Sequence, residues 1–170
     1  MKKLILIASI SLLLLSACDD AKFNRYPGKK LDAIPQELFG VYCELGVKGK
    51  KKDKISIEKD NWSVYSKDVK IYLNDSNVIS SYNGAYFYST LNKDSLWNVC
   101  YIEPKGKILN FYLFTYDKVL PKEKNTILNY FYPKFNQDST PFFIMDEEKL
   151  FRYSKNDLIK DKPLIRLKRN

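Results

Sequence analysis

Cysteine and histidine supply many of the nucleophiles, bases and metal ligands of proteins, so their pattern is the first indication of chemistry. The 170-residue chain contains no histidine and three cysteines, Cys18, Cys43 and Cys100. A Ser-His-Asp or Cys-His arrangement is therefore excluded, as is any zinc site with a histidine ligand. The cysteines form no Cys-x-x-Cys pair, which argues against a redox or cysteine-rich metal motif. Two possibilities that need neither histidine nor such a pair are modification of a cysteine thiol and the use of carboxylates.

The most concentrated carboxylates are the consecutive acids Asp146, Glu147 and Glu148. Such a group can supply paired carboxylates for acid-base catalysis or ligands for calcium. Acids that directly precede an apolar helical pattern, here Leu150–Tyr153, are also typical of a first helical turn, where the helix dipole favours negative charge. We expect the second role, and predict a non-enzymatic protein with no catalytic residue, no metal and no cofactor.

Cys18 lies at the end of an N-terminal segment with three distinct parts. Met1-Lys2-Lys3 is basic, Leu4 to Leu15 is apolar or small, and Leu15-Ser16-Ala17-Cys18 follows. The apolar run is shorter than the roughly 20 residues that span a bilayer as a helix. Leu-Ser-Ala-Cys resembles a bacterial lipobox. The resemblance implies that residues 1–17 are a lipoprotein signal peptide, that diacylglycerol is attached to the Cys18 thiol, and that the new amino terminus often receives a fatty acid such as palmitate.

The residues after Cys18 bear on where such a protein would lie. Residues 18–30 are polar and contain the Pro27-Gly28 breaker, so we predict a lipidated flexible tether ahead of a domain at residues 31–170. Asp19-Asp20 resembles the export signal of surface lipoproteins in Bacteroidetes, whereas Asp19 alone resembles an inner-membrane retention signal of enteric bacteria. We predict a lipid anchor in the outer membrane, with the domain facing the periplasm or the cell surface.

The formal charge of +9 is concentrated in two places. Lys48–Lys54 holds five lysines in one predicted turn, and Arg166–Arg169 is basic as well. Basic clusters can bind nucleic acid or anionic lipid, but lysines at a hairpin tip are usually solvated. Because the protein carries a secretion signal, we expect no nucleic acid partner.

From Leu31 onwards, the sequence favours short antiparallel strands. Ile55 to Glu58 and Val69 to Leu73 alternate apolar and polar residues, and Asn83-Gly84 is a typical hairpin turn. Ile108 to Tyr116 is apolar on both faces, which predicts a strand covered on both sides. Glu123 to Tyr132, Glu147 onwards and Leu164 to Leu167 predict two short helices and a closing strand. The expected fold is mainly β, a small antiparallel barrel or strongly curved sheet with one or two short C-terminal helices.

A family resemblance supports this fold. Gly40-Val41-Tyr42 resembles the Gly-x-Trp opening of lipocalins, with tyrosine in place of tryptophan, and Trp97-Asn98-Val99 resembles a later strand of that group. The resemblance is to lipocalin-like lipoproteins of Bacteroidetes and covers roughly Ile34 to Tyr116. It implies a lipocalin-like barrel.

A barrel of this kind can enclose an apolar ligand among aromatic side chains. The candidate cavity residues are Tyr42, Trp62, Tyr86, Tyr88, Trp97, Tyr112 and Phe114. Aromatic residues in strands are also ordinary core residues, so both roles stay open.

Cys43 and Cys100 are the two thiols that remain for a disulfide. If Tyr42 faces inward, Cys43 faces outward, and if alternate residues of Trp97–Tyr101 face inward, Cys100 faces outward too. An oxidising envelope favours a bond where the Cα atoms lie within about 7 Å. The first and about the sixth strands of a meander are not neighbours, so the sequence leaves pairing open.

Two functions are consistent with these observations. The first is a lipocalin-like binding module of the cell envelope, for a small apolar ligand or an envelope component. The alternative is an accessory or immunity lipoprotein that binds and blocks a secreted toxin or enzyme. In either case the membrane is a partner through Cys18, and we expect a monomer.

Overall fold

The computed structural model describes residues 20–45, 54–65, 68–116, 126–137, 140–161 and 163–170. The signal peptide, Cys18 and the lysines from Lys48 to Lys52 lie outside the described residues. The strands are β1 (Lys22–Phe23), β2 (Lys29–Lys30), β3 (Gly40–Glu44), β4 (Lys54–Ile57), β5 (Asn61–Val64), β6 (Val69–Tyr72), β7 (Asn77–Tyr82), β8 (Ala85–Leu91), β9 (Trp97–Lys105), β10 (Ile108–Leu113), β11 (Lys134–Phe135), β12 (Pro141–Phe142) and β13 (Ile165–Arg169). One α-helix, α1 (Glu147–Asn156), and 3₁₀ turns at Gln36–Leu38, Thr126–Asn129 and Leu158–Lys160 complete the described elements.

Most of these strands form one antiparallel sheet in the order β2-β7-β8-β9-β10-β13-β3-β4-β5-β6, and β1 pairs with the start of β9. β11 and β12 form a separate ribbon. The sheet consists of two four-stranded meanders, β3–β6 and β7–β10. The C-terminal strand β13 joins them, because it pairs with β10 on one side and with β3 on the other.

The sheet is strongly curled. β5 and β8 are six strand positions apart, which is about 29 Å in a flat sheet, yet the rings of Trp62 and Tyr88 meet with centroids 4.4 Å apart. The segment after β2 bridges the same gap, since Leu31 donates from its amide to the carbonyl of Ile79 and Ile34 donates to the carbonyl of Lys59. Among the described strands β6 pairs only with β5, so the sheet is a curled half-barrel. The expected fold class, mainly β with a strongly curved lipocalin-like sheet, is confirmed.

Both faces of the sheet are covered by apolar side chains. The inner face is the concave side on which Trp62 meets Tyr88, and the outer face is the opposite side, against which α1 packs. β10 contributes to both, because Leu109 and Phe111 lie in the inner core whereas Tyr112, and Phe114 just after the strand, lie in the outer core. The predicted double coverage of this strand is confirmed.

Local signals explain several boundaries. Asn83 and Gly84 both have positive φ angles, 48° and 73°, which a tight two-residue hairpin of primed type requires. At the start of α1 the side chain of Asp146 accepts a hydrogen bond from the Lys149 amide. The predicted helix that begins at Glu123 is described from residue 126 onwards, where it is a 3₁₀ turn.

The predicted flexible tether is wrong for the described part of residues 18–30. Asp20 bridges Thr115, and Phe23 in β1 is fully buried. Gly28 has a φ of +66°, and a Cβ at this position would lie 2.2 Å from the Ser81 carbonyl oxygen, so only glycine fits there. The polar composition of residues 18–30 gives no sign of this packing, because one buried aromatic ring and two short strands are enough to fix the segment.

Candidate functional site

The seven aromatic residues proposed to line one cavity do not share a face. The inner face carries Tyr42, Trp62, Tyr86 and Tyr88, and the outer core contains Trp97, Tyr112 and Phe114. A single cavity lined by all seven is therefore excluded. The sequence could not reveal this division, because β9 and β10 are apolar on both faces and alternation alone does not say which face is concave.

On the inner face the aromatic rings pack against each other. Trp62 makes edge-to-face contacts with Tyr88, at 4.4 Å between centroids, and with Phe111, at 6.2 Å. The Tyr88 hydroxyl donates to Oδ1 of Asn77, and burial raises the pKa of Tyr88, which keeps its phenol neutral. At this level the chain's own rings occupy the interior of the curled sheet.

Tyr42 is fully buried in the same inner core. Its hydroxyl donates to the carbonyl of Leu38 at 2.9 Å and accepts from Nη2 of Arg169 at 2.7 Å. The guanidinium also lies over the Tyr42 ring, 5.4 Å from its centroid, and donates to the carbonyl of Glu37. The Glu37 side chain in turn accepts from the Tyr86 hydroxyl, and this hydrogen bond lowers the pKa of Glu37. These contacts explain Tyr42 and Tyr86 as structural residues.

The acidic residues before α1 are engaged in structural contacts. Asp146 caps the helix, Glu147 pairs with Arg25, and Glu148 accepts from the Tyr82 hydroxyl at 3.3 Å. Among the residues that the structure describes, no group of three or more His, Cys, Asp or Glu side chains is placed to hold a metal ion.

Cys43 and Cys100 are both free thiols. Their strands β3 and β9 are separated by β13 and β10, three strand positions or about 14 Å, which is too far for a disulfide. Cys100 is buried on the inner face, on the side of Tyr42, whereas Cys43 lies on the outer face and contacts Asn170. The expected outward orientation of Cys100 is therefore wrong, because Trp97, Val99 and Tyr101 belong to the outer core.

The two thiols should differ sharply in reactivity. Burial raises the pKa of Cys100 to about 12, so at pH 8 this thiol stays protonated and shielded, and the thiolate is the reactive form. We expect iodoacetamide to alkylate Cys43 in the native protein and to reach Cys100 only after unfolding. Mass spectrometry of non-reduced peptides measures the alkylation of each thiol and detects any disulfide between them. A cross-linked peptide containing Cys43 and Cys100, or equal native alkylation rates, would contradict the structure.

The outer face carries a row of basic residues that only the strand register brings together. In register, Lys54 lies opposite Cys43, Cys43 opposite Lys168, Lys168 opposite Ile108, and Ile108 opposite Lys105. Arg166 lies two residues before Lys168 on the same face. Hereafter, Lys54, Lys105, Arg166 and Lys168 are called the cationic row.

The cationic row is exposed, and within the described parts of the chain none of its members forms an ion pair. Its three lysines are spaced two strand widths apart, about 10 Å. Glu103 is the acidic residue beside the row, and its carboxylate accepts hydrogen bonds from Asn110 at 2.9 Å and from Tyr112 at 3.1 Å rather than an ion pair from the row. The outer face thus presents fixed positive charge at regular intervals.

The fold and this face define a class: a mainly β protein with a lipocalin-like, curled antiparallel half-barrel and a basic outer sheet face. No family model, no curated protein and no solved structure matches the chain. Within the described residues, none of the helices has the length and apolar character needed to cross a membrane.

Proposed function

We propose that the protein is a non-enzymatic, lipid-anchored protein of the outer membrane that binds an acidic partner protein through the cationic row. In this role it acts as an accessory or immunity lipoprotein, and the partner is a secreted toxin or enzyme. The observation that carries the proposal is the exposed row of three lysines and one arginine, across five consecutive strands, which forms no ion pair with the described residues. Regular fixed charge of one sign favours association with a surface of the opposite sign.

The position of the row relative to the anchor supports this function. Asp20, two residues after Cys18, bridges Thr115 just beyond β10, and Ile108 in the cationic register lies seven residues earlier in that strand. Seven strand residues span about 23 Å. A lipid on Cys18 would therefore hold one end of the sheet at the membrane and leave the cationic row accessible to a protein partner.

The interior of the curled sheet is the second candidate, since a small apolar ligand requires an apolar, concave site. The inner core has that chemistry. Trp62, Tyr88 and Phe111 fill it at the level where they meet, so a ligand there would have to displace their rings. The outer face is favoured because the cationic row is exposed without any rearrangement.

Charge reversal tests the partner proposal. A photo-cross-linking amino acid is placed at Val41, which is exposed on the outer face two residues from Cys43, and cross-linked adducts are measured in intact cells. We expect a protein adduct whose yield falls at least about tenfold in the Lys105→Glu, Lys168→Glu double variant, because 1.4 kcal/mol of lost binding free energy corresponds to that factor.

The matched control is the Lys29→Glu, Lys93→Glu double variant, which changes the net charge equally at exposed positions away from the row. This control should retain the adduct. An equal loss of adduct in both variants would show that net charge, and not the cationic row, causes the effect, which contradicts the proposal. The absence of any protein adduct at Val41 would contradict it as well.

A further inference from the structure

The first strand leaves almost no slack between Cys18 and the folded domain. Asp20 bridges Thr115, and the Ala21 amide donates to the carbonyl of Phe114 at 2.8 Å. Two residues of extended chain span at most about 7 Å. If Cys18 carries the lipid, the edge of the domain around Asp20 must lie against the lipid headgroups.

The β11–β12 ribbon approaches the same edge. Phe143, directly after β12, pairs in parallel with Phe23 of β1, so Pro141 lies level with Ala21. Pro141 pairs in turn with Phe135 of β11. Phe135 is therefore about two strand widths, or 10 Å, to the side of Ala21, and it lies at nearly the depth of Asp20.

The ribbon and its flanks expose large apolar side chains. Phe135 is 59% exposed, Tyr132 is 80% exposed and Ile144 is 44% exposed, and Lys134 beside them is exposed as well. Aromatic side chains are favoured at the boundary between headgroups and acyl chains, and lysine is favoured next to anionic headgroups. Exposed apolar side chains clustered in one segment are also typical of an interaction surface.

We propose that the β11–β12 ribbon, with Phe135 foremost, inserts into the interfacial zone of the membrane that holds the Cys18 lipid. The inference rests on the proposed lipid anchor and adds an orientation to it. The domain sits on the bilayer on its β1 and β11–β12 edge, and the ribbon is a second contact beside the acyl chains.

Quenching by spin-labelled lipids tests this orientation. The full lipidated protein with Phe135→Trp is reconstituted in vesicles of phosphatidylethanolamine and phosphatidylglycerol, with and without phosphatidylcholine labelled by a doxyl group near the headgroup. The buried native residues Trp62 and Trp97 give the background from the unsubstituted protein. We expect the added tryptophan to be quenched at least about twofold more than a matched control, because an interfacial ring lies within reach of shallow labels.

The matched control is Tyr72→Trp, an aromatic position of similar exposure, 50%, on the free edge strand β6. Equal quenching of the two reporters in vesicle-bound protein would overturn the inference and leave the lipid anchor intact. Protein that carries no fatty acid and does not float with the vesicles would instead overturn the anchor together with this inference. Ile144→Trp should be quenched less than Phe135→Trp, because Ile144 lies level with Asn24, three strand residues or about 10 Å farther from Asp20 than Pro141.

Discussion

Leu167→Asp should unfold the protein. Leu167 is 2% exposed at the centre of β13, where it lies opposite Leu109 of β10 and Glu44 of β3. A carboxylate at this position would be buried without a partner, which costs several kcal/mol, and the strand it disrupts is the one that joins the two meanders. Since domains of this size have a free energy of unfolding of about 5–15 kcal/mol, we expect loss of the cooperative thermal transition measured by circular dichroism.

Variants of graded severity show whether β13 is specifically required to join the two meanders or whether the protein simply has low overall stability. Leu167→Ala removes only packing and should lower the free energy of unfolding by about 2–5 kcal/mol. Lys168→Ala, the next residue, is exposed on the opposite face and should change it by no more than about 0.5 kcal/mol. A Leu167→Asp protein that unfolds at the midpoint of the unsubstituted protein would show that β13 is not required to hold the sheet together.

The parts of the fold that the sequence predicts well are those set by local chemistry. Alternation identified the strands around Ile55 and Val69, Asn83-Gly84 marked the hairpin between β7 and β8, and the acids before Leu150 marked the start of α1. Each of these signals depends on residues within one turn or one strand, so no knowledge of strand pairing is needed.

Local chemistry does not determine which strands pair with each other. A closing strand was predicted near Leu164, but nothing in its sequence says that β13 inserts between β10 and β3. The same gap explains the errors over Trp97 and Cys100, because a strand that is apolar on both faces gives no indication of which face is concave. The prediction of a flexible tether was wrong for a related reason. Phe23 contributes one buried ring, and one aromatic residue in the sequence is too weak a signal to distinguish a strand from a tether.

The candidate binding face follows from pairing in the same way. Lys54, Lys105 and Lys168 are separated by more than fifty residues at each step in the sequence, where Lys54 and Lys168 belong to two separate basic clusters, Lys48–Lys54 and Arg166–Arg169. The ladder from β4 through β3, β13 and β10 to β9 places them in one line. The sequence shows the two basic clusters, but only the strand pairing shows that members of both lie in line with Lys105.

Cys18→Ala should abolish lipid attachment and block cleavage before residue 18, because the thiol that receives the diacylglycerol is gone. Each buried methylene contributes about 0.8 kcal/mol to membrane binding, and two or more acyl chains hold a protein almost permanently, so the loss should be all or none. Metabolic labelling with a fatty acid followed by gel analysis measures it. The control Cys43→Ala removes a free outer-face thiol and should be labelled like the unsubstituted protein. Label that persists in the Cys18→Ala protein would rule out Cys18 as the anchor, and with it the membrane-facing orientation of β1 and the β11–β12 ribbon.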